Sequence, residues 1–366
     1  MAAIRKRGEL QWQARVRRKG YPDQVKTLET RAEAEAWARQ LESEIDRGIF
    51  VSRAEAEATS LHDLLARYER EIVPSKRGEV QERSVIRAWQ ATDLARRPVA
   101  SVRGADVAKL RDDWTKTLKP ATVLRRLAVL SHLFNMARKE WGMESLSNPV
   151  ELVRKPQPNN ARSRRIASSE ELSGRATDDG ELERVIAASG SSVLPAIIRL
   201  AVETAMRRGE IVALRWEHID SRRQVAHLPV TKNGSSRDVP LSSRAVSVLQ
   251  ELKQAAEARA AGAAKVAYLL SGPVFRIRTD AVTRAFERAV DRARNAYLDE
   301  CKESKRQPDA KYLVDLRFHD LRHEATSRLA SVYQLHELTK VTGHKDPRML
   351  MRYYHPKAEE LAKRLG

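Results

Sequence analysis

The chain begins with a strict alternation. Trp12, Ala14 and Val16 alternate with Gln11, Gln13, Arg15 and Arg17, the period of a strand with one dry face. The turn-forming run Lys19-Gly20-Tyr21-Pro22-Asp23 follows, and Gln24 to Leu28 can return as a second strand, so a small sheet is expected. The period then lengthens. Thr30 and Glu33 have the spacing of a capping box, and Ala34, Trp37, Leu41 and Ile45 fall on one face of the helix they would open. After a polar stretch around Ser52 to Ser60, Leu61, Leu64, Leu65 and Tyr68 form another helical stripe, stopped by the segment from Pro74 to Gly78. Further helices are expected to start at Val85 to Trp89 and at Ala105 to Trp114. Lys119-Pro120-Ala121-Thr122 then leads into a long one carrying Leu124, Leu127, Leu130, Ser131 and Phe134. It ends at Gly142, and Asn148-Pro149 closes the region.

Arg154-Lys155-Pro156-Gln157-Pro158-Asn159-Asn160, continuing through Arg162, Arg164 and Arg165, has no apolar period and reads as a basic linker able to track phosphates. Beyond Ile166 the pattern is helical with one hairpin. Leu194 to Thr204 predicts an apolar helix, and Ile211 to Trp216 the start of the next. Ala226, Leu228 and Val230 alternate towards Asn233-Gly234, a two-residue turn signal, with Val239 and Leu241 on the return strand. The expected fold is multidomain and mainly α. It has a small N-terminal β-sheet plus helix (1–55), a helical bundle (60–153), the basic linker (154–165), and a mixed α/β domain, mostly helical with a β-hairpin (166–366).

Charge narrows the class. A net charge of +19 and a pI near 10.2 point first to a polyanionic partner, and nucleic acid is the commonest one. Ribosomal and membrane-surface proteins share such a balance, so charge alone does not decide. Arg5, Lys6, Arg7, Arg15, Arg17, Arg18 and Lys19 concentrate it in the N-terminal sheet, and Arg125 and Arg126 place more on the long helix. Cys301 is the single cysteine, which excludes an internal disulfide and a cysteine-based zinc site. No stretch approaches the roughly 20 apolar residues of a membrane span, and the start lacks a secretory pattern. A cytoplasmic protein with no membrane partner is expected.

Three separated stretches carry candidate chemistry: Thr204-Ala205-Met206-Arg207-Arg208-Gly209-Glu210, His319-Asp320-Leu321-Arg322, and Gly343-His344 with Tyr353 nine positions on. Phe318, Leu321, Ala325 and Leu329 form the inward stripe of a helix, so His319, Arg322 and Thr326 lie together at its edge. A lone His-x-x-Arg is usually structural; its company gives it weight. Arg207 and Arg322 supply two planar forks of donors suited to a phosphate, with Gly209 allowing a turn after Arg207. Glu210 would orient an arginine or histidine rather than touch an anionic substrate. Lys232, beside Asn233-Gly234, is placed to lend a proton to a leaving oxygen. Tyr353 is the candidate nucleophile, with the adjacent Tyr354 the alternative if the register shifts. A free phenol has a pKa of about 10, so neighbouring cations are needed to favour its anion. There is no Walker sequence, no acidic cluster for paired metals and no zinc spacing, so neither metal nor cofactor is expected.

These motifs, in this order, resemble the tyrosine recombinases, the phage-type integrases, over nearly the whole chain. Thr231-Lys232-Asn233-Gly234 before Val239-Pro240-Leu241 resembles the family's hairpin lysine motif. The family's usual pattern has glycine where this chain has Ala205, which leaves the turn before Arg207 in question. The resemblance implies a site-specific DNA recombinase that integrates or excises a phage or genomic island. Tyr353 would attack the scissile phosphate to give a 3′-phosphotyrosyl intermediate, and Lys232 would protonate the departing 5′ oxygen. Arg207, Arg322 and His344 would hold the phosphate while His319 manages the tyrosine proton. It further implies an arm-type DNA-binding domain at the N-terminus and a core-binding bundle marked by Thr122 with Arg125 and Arg126. Double-stranded DNA is the implied partner, engaged as a homo-tetramer in the nucleoid, with accessory bending or directionality factors and a C-terminal tail from Lys357 that docks on a neighbour. The alternatives are a type IB topoisomerase-like relaxing enzyme and a non-catalytic DNA-binding regulator that keeps the fold.

Overall fold

The structure is a computed structural model describing residues 2–48, 50, 52–159, 162, 164–167, 180–231, 234–260, 271–351 and 353. Two compact units divide the chain, Met1–Ala161 and Arg162–Gly366.

The first unit opens with an antiparallel sheet of β1 (Ala3–Gly8), β2 (Gln11–Val16) and β3 (Gln24–Leu28) in sequential order. Ala14 and Val16 are buried on one face, against Ala34, Ala38, Leu41 and Ile45 of α1 (Arg31–Asp46). The predicted capping box is present: the Thr30 hydroxyl accepts from the Glu33 amide and the Glu33 carboxylate from the Thr30 amide, both at 3.2 Å. β1 has no counterpart in the hydrophobic pattern, because five of its six residues are exposed and only Ile4 joins the core.

A second core follows. The short α2 (Ala54–Ala58) precedes α3 (Leu61–Glu71), α4 (Glu79–Gln90), α5 (Gly104–Thr115) and the long α6 (Pro120–Glu140). Leu61, Leu64, Leu65, Ile86, Trp89, Leu127, Leu130 and Phe134 pack together, each buried side chain contributing about 1.5–3 kcal/mol. Tyr68 is enclosed among them and satisfies its hydroxyl with Glu82 at 2.9 Å and His132 Nδ1 at 2.8 Å. α4 begins six residues before Val85, since its first turn is acidic and exposed and carries no apolar signal.

The second unit is built round α8 (Leu194–Thr204), an apolar helix preceded by α7 (Glu181–Ala187). α10 (Ser243–Ala260) and α12 (Phe318–Leu329) pack against α8, and α11 (Thr279–Glu303) packs against α7. α13 (Leu335–Thr342) lies against a second antiparallel sheet, β4 (Ile219–Asp220), β5 (Val225–Leu228) and β6 (Arg237–Pro240), and the single-turn α14 (Arg348–Met351) follows. One expectation changes: the helix expected at Ile211 is instead the brief α9 (Arg208–Val212). In the second sheet Leu228 pairs with Arg237, and beyond that ladder the Thr231 amide still donates to the Ser235 carbonyl at 3.2 Å. The turn expected at Asn233-Gly234 falls partly outside the described residues.

Arg162, Arg164 and Arg165 also differ from the linker reading. Arg162 binds Asp320 and Asp315, Arg164 binds Glu181, and Arg165 binds Glu324. They anchor their segment to the second unit instead of offering free forks to phosphates. Their partners lie up to 159 positions away, which no local pattern discloses.

Candidate active site

The site grows from the end of α8. The helix stops at Ala205, which takes a left-handed conformation (φ 51°, ψ 20°) that L-residues with a Cβ seldom adopt. The turn therefore sits at Ala205, not at Gly209, which lies within α9. Its consequence is direct: the Ala205 carbonyl accepts a hydrogen bond from Arg322 Nη1, reaching across from α12. Arg322 Nη2 donates to the Thr342 carbonyl at 2.6 Å and lies 3.5 Å from His344 Nε2.

Arg207 follows the turn. Its backbone amide donates to Glu210 at 2.7 Å, its Nη1 to the same carboxylate at 2.9 Å, and its Nη2 to the Gly343 carbonyl at 3.1 Å. Glu210 is 7% exposed and also takes two 2.9 Å bonds from Arg237 of β6. Burial works against the Glu210 charge, but the hydrogen bonds and charge of Arg237, then Arg207, hold its pKa below the ordinary value. One carboxylate thus fixes two guanidinium groups. Arg237 shares its strand face with Val239 and Leu241 by alternation, but nothing local shows that Glu210 comes to meet it.

Arg322 is different. It is 5% exposed, and among the described residues no carboxylate bonds to it. Burial and then the charge of Arg207 lower its pKa to about 9, although a guanidinium remains charged at neutral pH even so. His344 shares this crowding: burial, then Arg322, Arg207 and Arg237, lower its pKa to about 4. The Thr342 hydroxyl donates its one proton to the Leu338 carbonyl at 2.6 Å, so it accepts from His344 Nδ1 at 2.7 Å. Neutral His344 therefore carries its proton on Nδ1 and turns a bare Nε2 towards Arg322.

His319 and its neighbours complete the cluster. Desolvation by packed neighbours, then the charges of His323 and Arg322, lower the His319 pKa to about 4. One side of the ring is open to water, which weakens the first cause and leaves cationic crowding to hold the direction. His323, one helical turn on, meets the ring of His319 edge-on with centroids 4.8 Å apart. The Tyr353 hydroxyl is hydrogen-bonded to His323 Nδ1. His323 was absent from the expected set, although its i, i+4 relation to His319 was available as a signal. An open cleft of about 810 Å³ borders the cluster, lined among others by Arg207, Arg208, Arg215, His218, Thr231 and His319. Lys232, Tyr354 and the tail from Lys357 lie outside the described residues.

The other basic positions are spread over the first unit. Arg5, Arg15 and Arg17 lie on the sheet face turned away from α1, and Lys6, Arg7, Arg18 and Lys19 are exposed around it. Arg15 and Arg17 share Asp23, Arg18 pairs with Asp46 and Arg7 with Gln13, exposed contacts of little strength. Arg125 is exposed. Arg126 stacks over Trp114 at 4.4 Å, and burial lowers its pKa.

A mainly helical chain with two small sheets that gathers two arginines, a buried carboxylate, histidines and a tyrosine has the makeup of a phosphoryl-transfer enzyme of the recombinase class. Residues 177–360 match the phage integrase family. The chain is 38% identical over 316 residues to a shufflon-specific DNA recombinase of Escherichia coli, covering 84% of this chain and 71% of that one. It is 31% identical over 374 residues to a putative integrase/recombinase of Haemophilus influenzae, covering 98% and 89%. Among solved structures it is similar to a lambda integrase dimer bound to a COC′ core site (TM-score 0.59, 20% identity, 96% of this chain and 94% of that one). It is also similar to the Tn1549 transposon integrase in complex with circular intermediate DNA (TM-score 0.62, 16% identity, 84% and 100%). This chain belongs to the phage integrase family, the tyrosine site-specific recombinases. Among the described residues no helix is long and apolar enough to cross a membrane.

Proposed function

We propose that this recombinase cuts and rejoins duplex DNA through a 3′-phosphotyrosyl intermediate on Tyr353, integrating or excising a phage or genomic island. The observation that carries the reading is Arg322. Leaving a buried cation without an anion costs about 3–5 kcal/mol, whereas the other enclosed guanidinium of the site, Arg237, has a carboxylate. The missing anion is supplied by the scissile phosphate. Arg322 and Arg207 hold its non-bridging oxygens, and phosphate charge raises the His344 pKa so that Nε2 gains a proton and donates to the same group. Glu210 orients Arg207, His319 helps manage the tyrosine proton, and Lys232 protonates the 5′ oxygen. The phosphotyrosyl bond conserves the energy of the broken one, so neither ATP nor a metal is needed.

Residues 60–153 serve as a core-binding domain, with Arg125 and Arg126 on the backbone, and 1–55 as an arm-binding domain through Arg5, Arg15 and Arg17. The lambda integrase tetramer bound to a Holliday junction, a structural neighbour, supports a tetramer on paired sites. A duplex nicked close to the cleavage point tests the reading. Cleavage there releases a short strand and traps the protein on DNA, a band absent with Tyr353→Phe. No trapped species with the wild type on its own attachment DNA would contradict the proposal and favour a DNA-binding regulator.

A further inference from the structure

The tyrosine's immediate partner is a residue the family motifs did not single out. Tyr353 reaches α12 and bonds through its hydroxyl to Nδ1 of His323. The rings are tilted 34° to each other with centroids 5.6 Å apart. His323 is half-buried and follows Arg322 directly, so the group nearest the phenol proton and the group nearest the expected phosphate are consecutive on one helix. The His319 ring meets that of His323 with centroids 4.8 Å apart.

We infer that His323 is the proton acceptor for Tyr353 in strand cleavage, and the donor that returns the proton in rejoining. In cleavage the Tyr353 oxygen forms a bond to phosphorus as the bond from phosphorus to the 5′ oxygen breaks. The phenol proton passes to His323 Nδ1, and the 5′ oxygen takes a proton from the general acid. In rejoining, the 5′ hydroxyl attacks phosphorus and gives up its proton to that acid, and His323 restores the phenol. For Nδ1 to take the phenol proton, the neutral ring carries its own proton on Nε2. His319 then acts on His323 by holding its ring at right angles, a positioning role.

This inference rests on Tyr353 being the nucleophile, and the experiment separates the two. Single-turnover cleavage is measured on a nicked duplex whose 5′ bridging oxygen is sulfur, so that protonation of the leaving group no longer limits the rate. Wild type, His323→Gln and His319→Gln are compared from pH 6.5 to 9.5, with the affinity of each for the same DNA measured alongside. His323→Gln should cleave more slowly at pH 7 by on the order of 10²-fold. It should then recover by about tenfold per pH unit as the phenol, with an ordinary pKa of about 10, ionises unaided. His319→Gln should show a defect that stays constant with pH. Imidazole added to His323→Gly should restore part of the lost rate, which a purely structural defect would not allow. A His323→Gln profile parallel to wild type would overturn the inference, as would the recovery appearing with His319→Gln instead. Either result leaves Tyr353 as nucleophile if the wild type still forms its adduct; no adduct at all removes that reading first.

Discussion

Gly343→Ala tests the packing that holds the arginines. Gly343 caps α13 with φ 68°, and its carbonyl accepts from Arg207. A Cβ there would stand 2.5 Å from Arg237 Nη1 and 3.1 Å from its Cζ. Arg237 cannot swing aside cheaply, because both terminal nitrogens are bonded to Glu210 and the side chain is 8% exposed. The left-handed backbone costs an alanine about 1–2 kcal/mol. Moving the fork off its carboxylate loses about 1.5–3 kcal/mol of charge-assisted bonding. Lower unfolded-state entropy returns about 0.4–1 kcal/mol. The net is a loss of about 2–4 kcal/mol, or roughly 6–12 °C in Tm for a central value of about 3 kcal/mol in a unit of this size. Circular dichroism during heating reads the stability, and the trapped adduct reads the site, where cleavage should fall about tenfold or more as the Gly343 carbonyl that holds Arg207 and the Glu210 carboxylate it shares with Arg237 shift. On an Arg237→Ala background the same substitution should cost only the backbone part, about 1–2 kcal/mol. A Tm within about 2 °C of wild type, with undiminished cleavage, would refute the claim that Gly343 and Arg237 are locked together.

Ala205→Gly should leave stability within about 1 kcal/mol of wild type, because relief of the left-handed strain offsets a lost buried methyl and a more flexible unfolded chain; denaturant titration checks it. Acid should destabilise the second unit in two stages. His344 has a folded pKa of about 4 against 6.5 when free, so the unfolded state binds more protons and stability falls as pH drops from 6.5 to 4. Glu210, with its pKa depressed below 4.5, adds a further loss only as pH falls beneath that value. Urea midpoints across this range, repeated with Glu210→Gln, should show the second stage diminished. Lys232→Ala should cleave a duplex with a 5′ bridging sulfur far better, relative to wild type, than the natural duplex, and equal defects on both would remove Lys232 from the acid's role. Cleavage by the wild type should persist in EDTA.

Much of the helical frame was legible because its stripes are long and apolar. Leu194 to Thr204 has the observed bounds of α8, and the inward stripe of α12 runs as its spacing implies. What failed to show was governed by long-range pairing. β1 is exposed and has almost no apolar signature. Arg237 lies on the strand face of Val239 and Leu241, but alternation does not reveal that Glu210, 27 positions back, comes to meet it. Arg162 and Arg164 looked like linker charge until carboxylates far along the chain came to meet them. The substitution at Ala205 left the turn in doubt, yet the backbone still turns left-handed there and aims a carbonyl at Arg322. His323 was within reach of helical spacing, but a motif that names only the first histidine and the arginine draws attention past it.

The central claim is that one tyrosine carries the DNA, and peptide mapping of the trapped adduct addresses it directly. After nuclease trimming, trypsin cutting after Arg352 and Lys357 should release the peptide Tyr353-Tyr354-His355-Pro356-Lys357 with a nucleotide attached. Fragmentation should place the added mass on Tyr353, and Tyr353→Phe should yield no such peptide while Tyr354→Phe still does. The mass found on Tyr354, or on a peptide from elsewhere in the chain, would contradict the account.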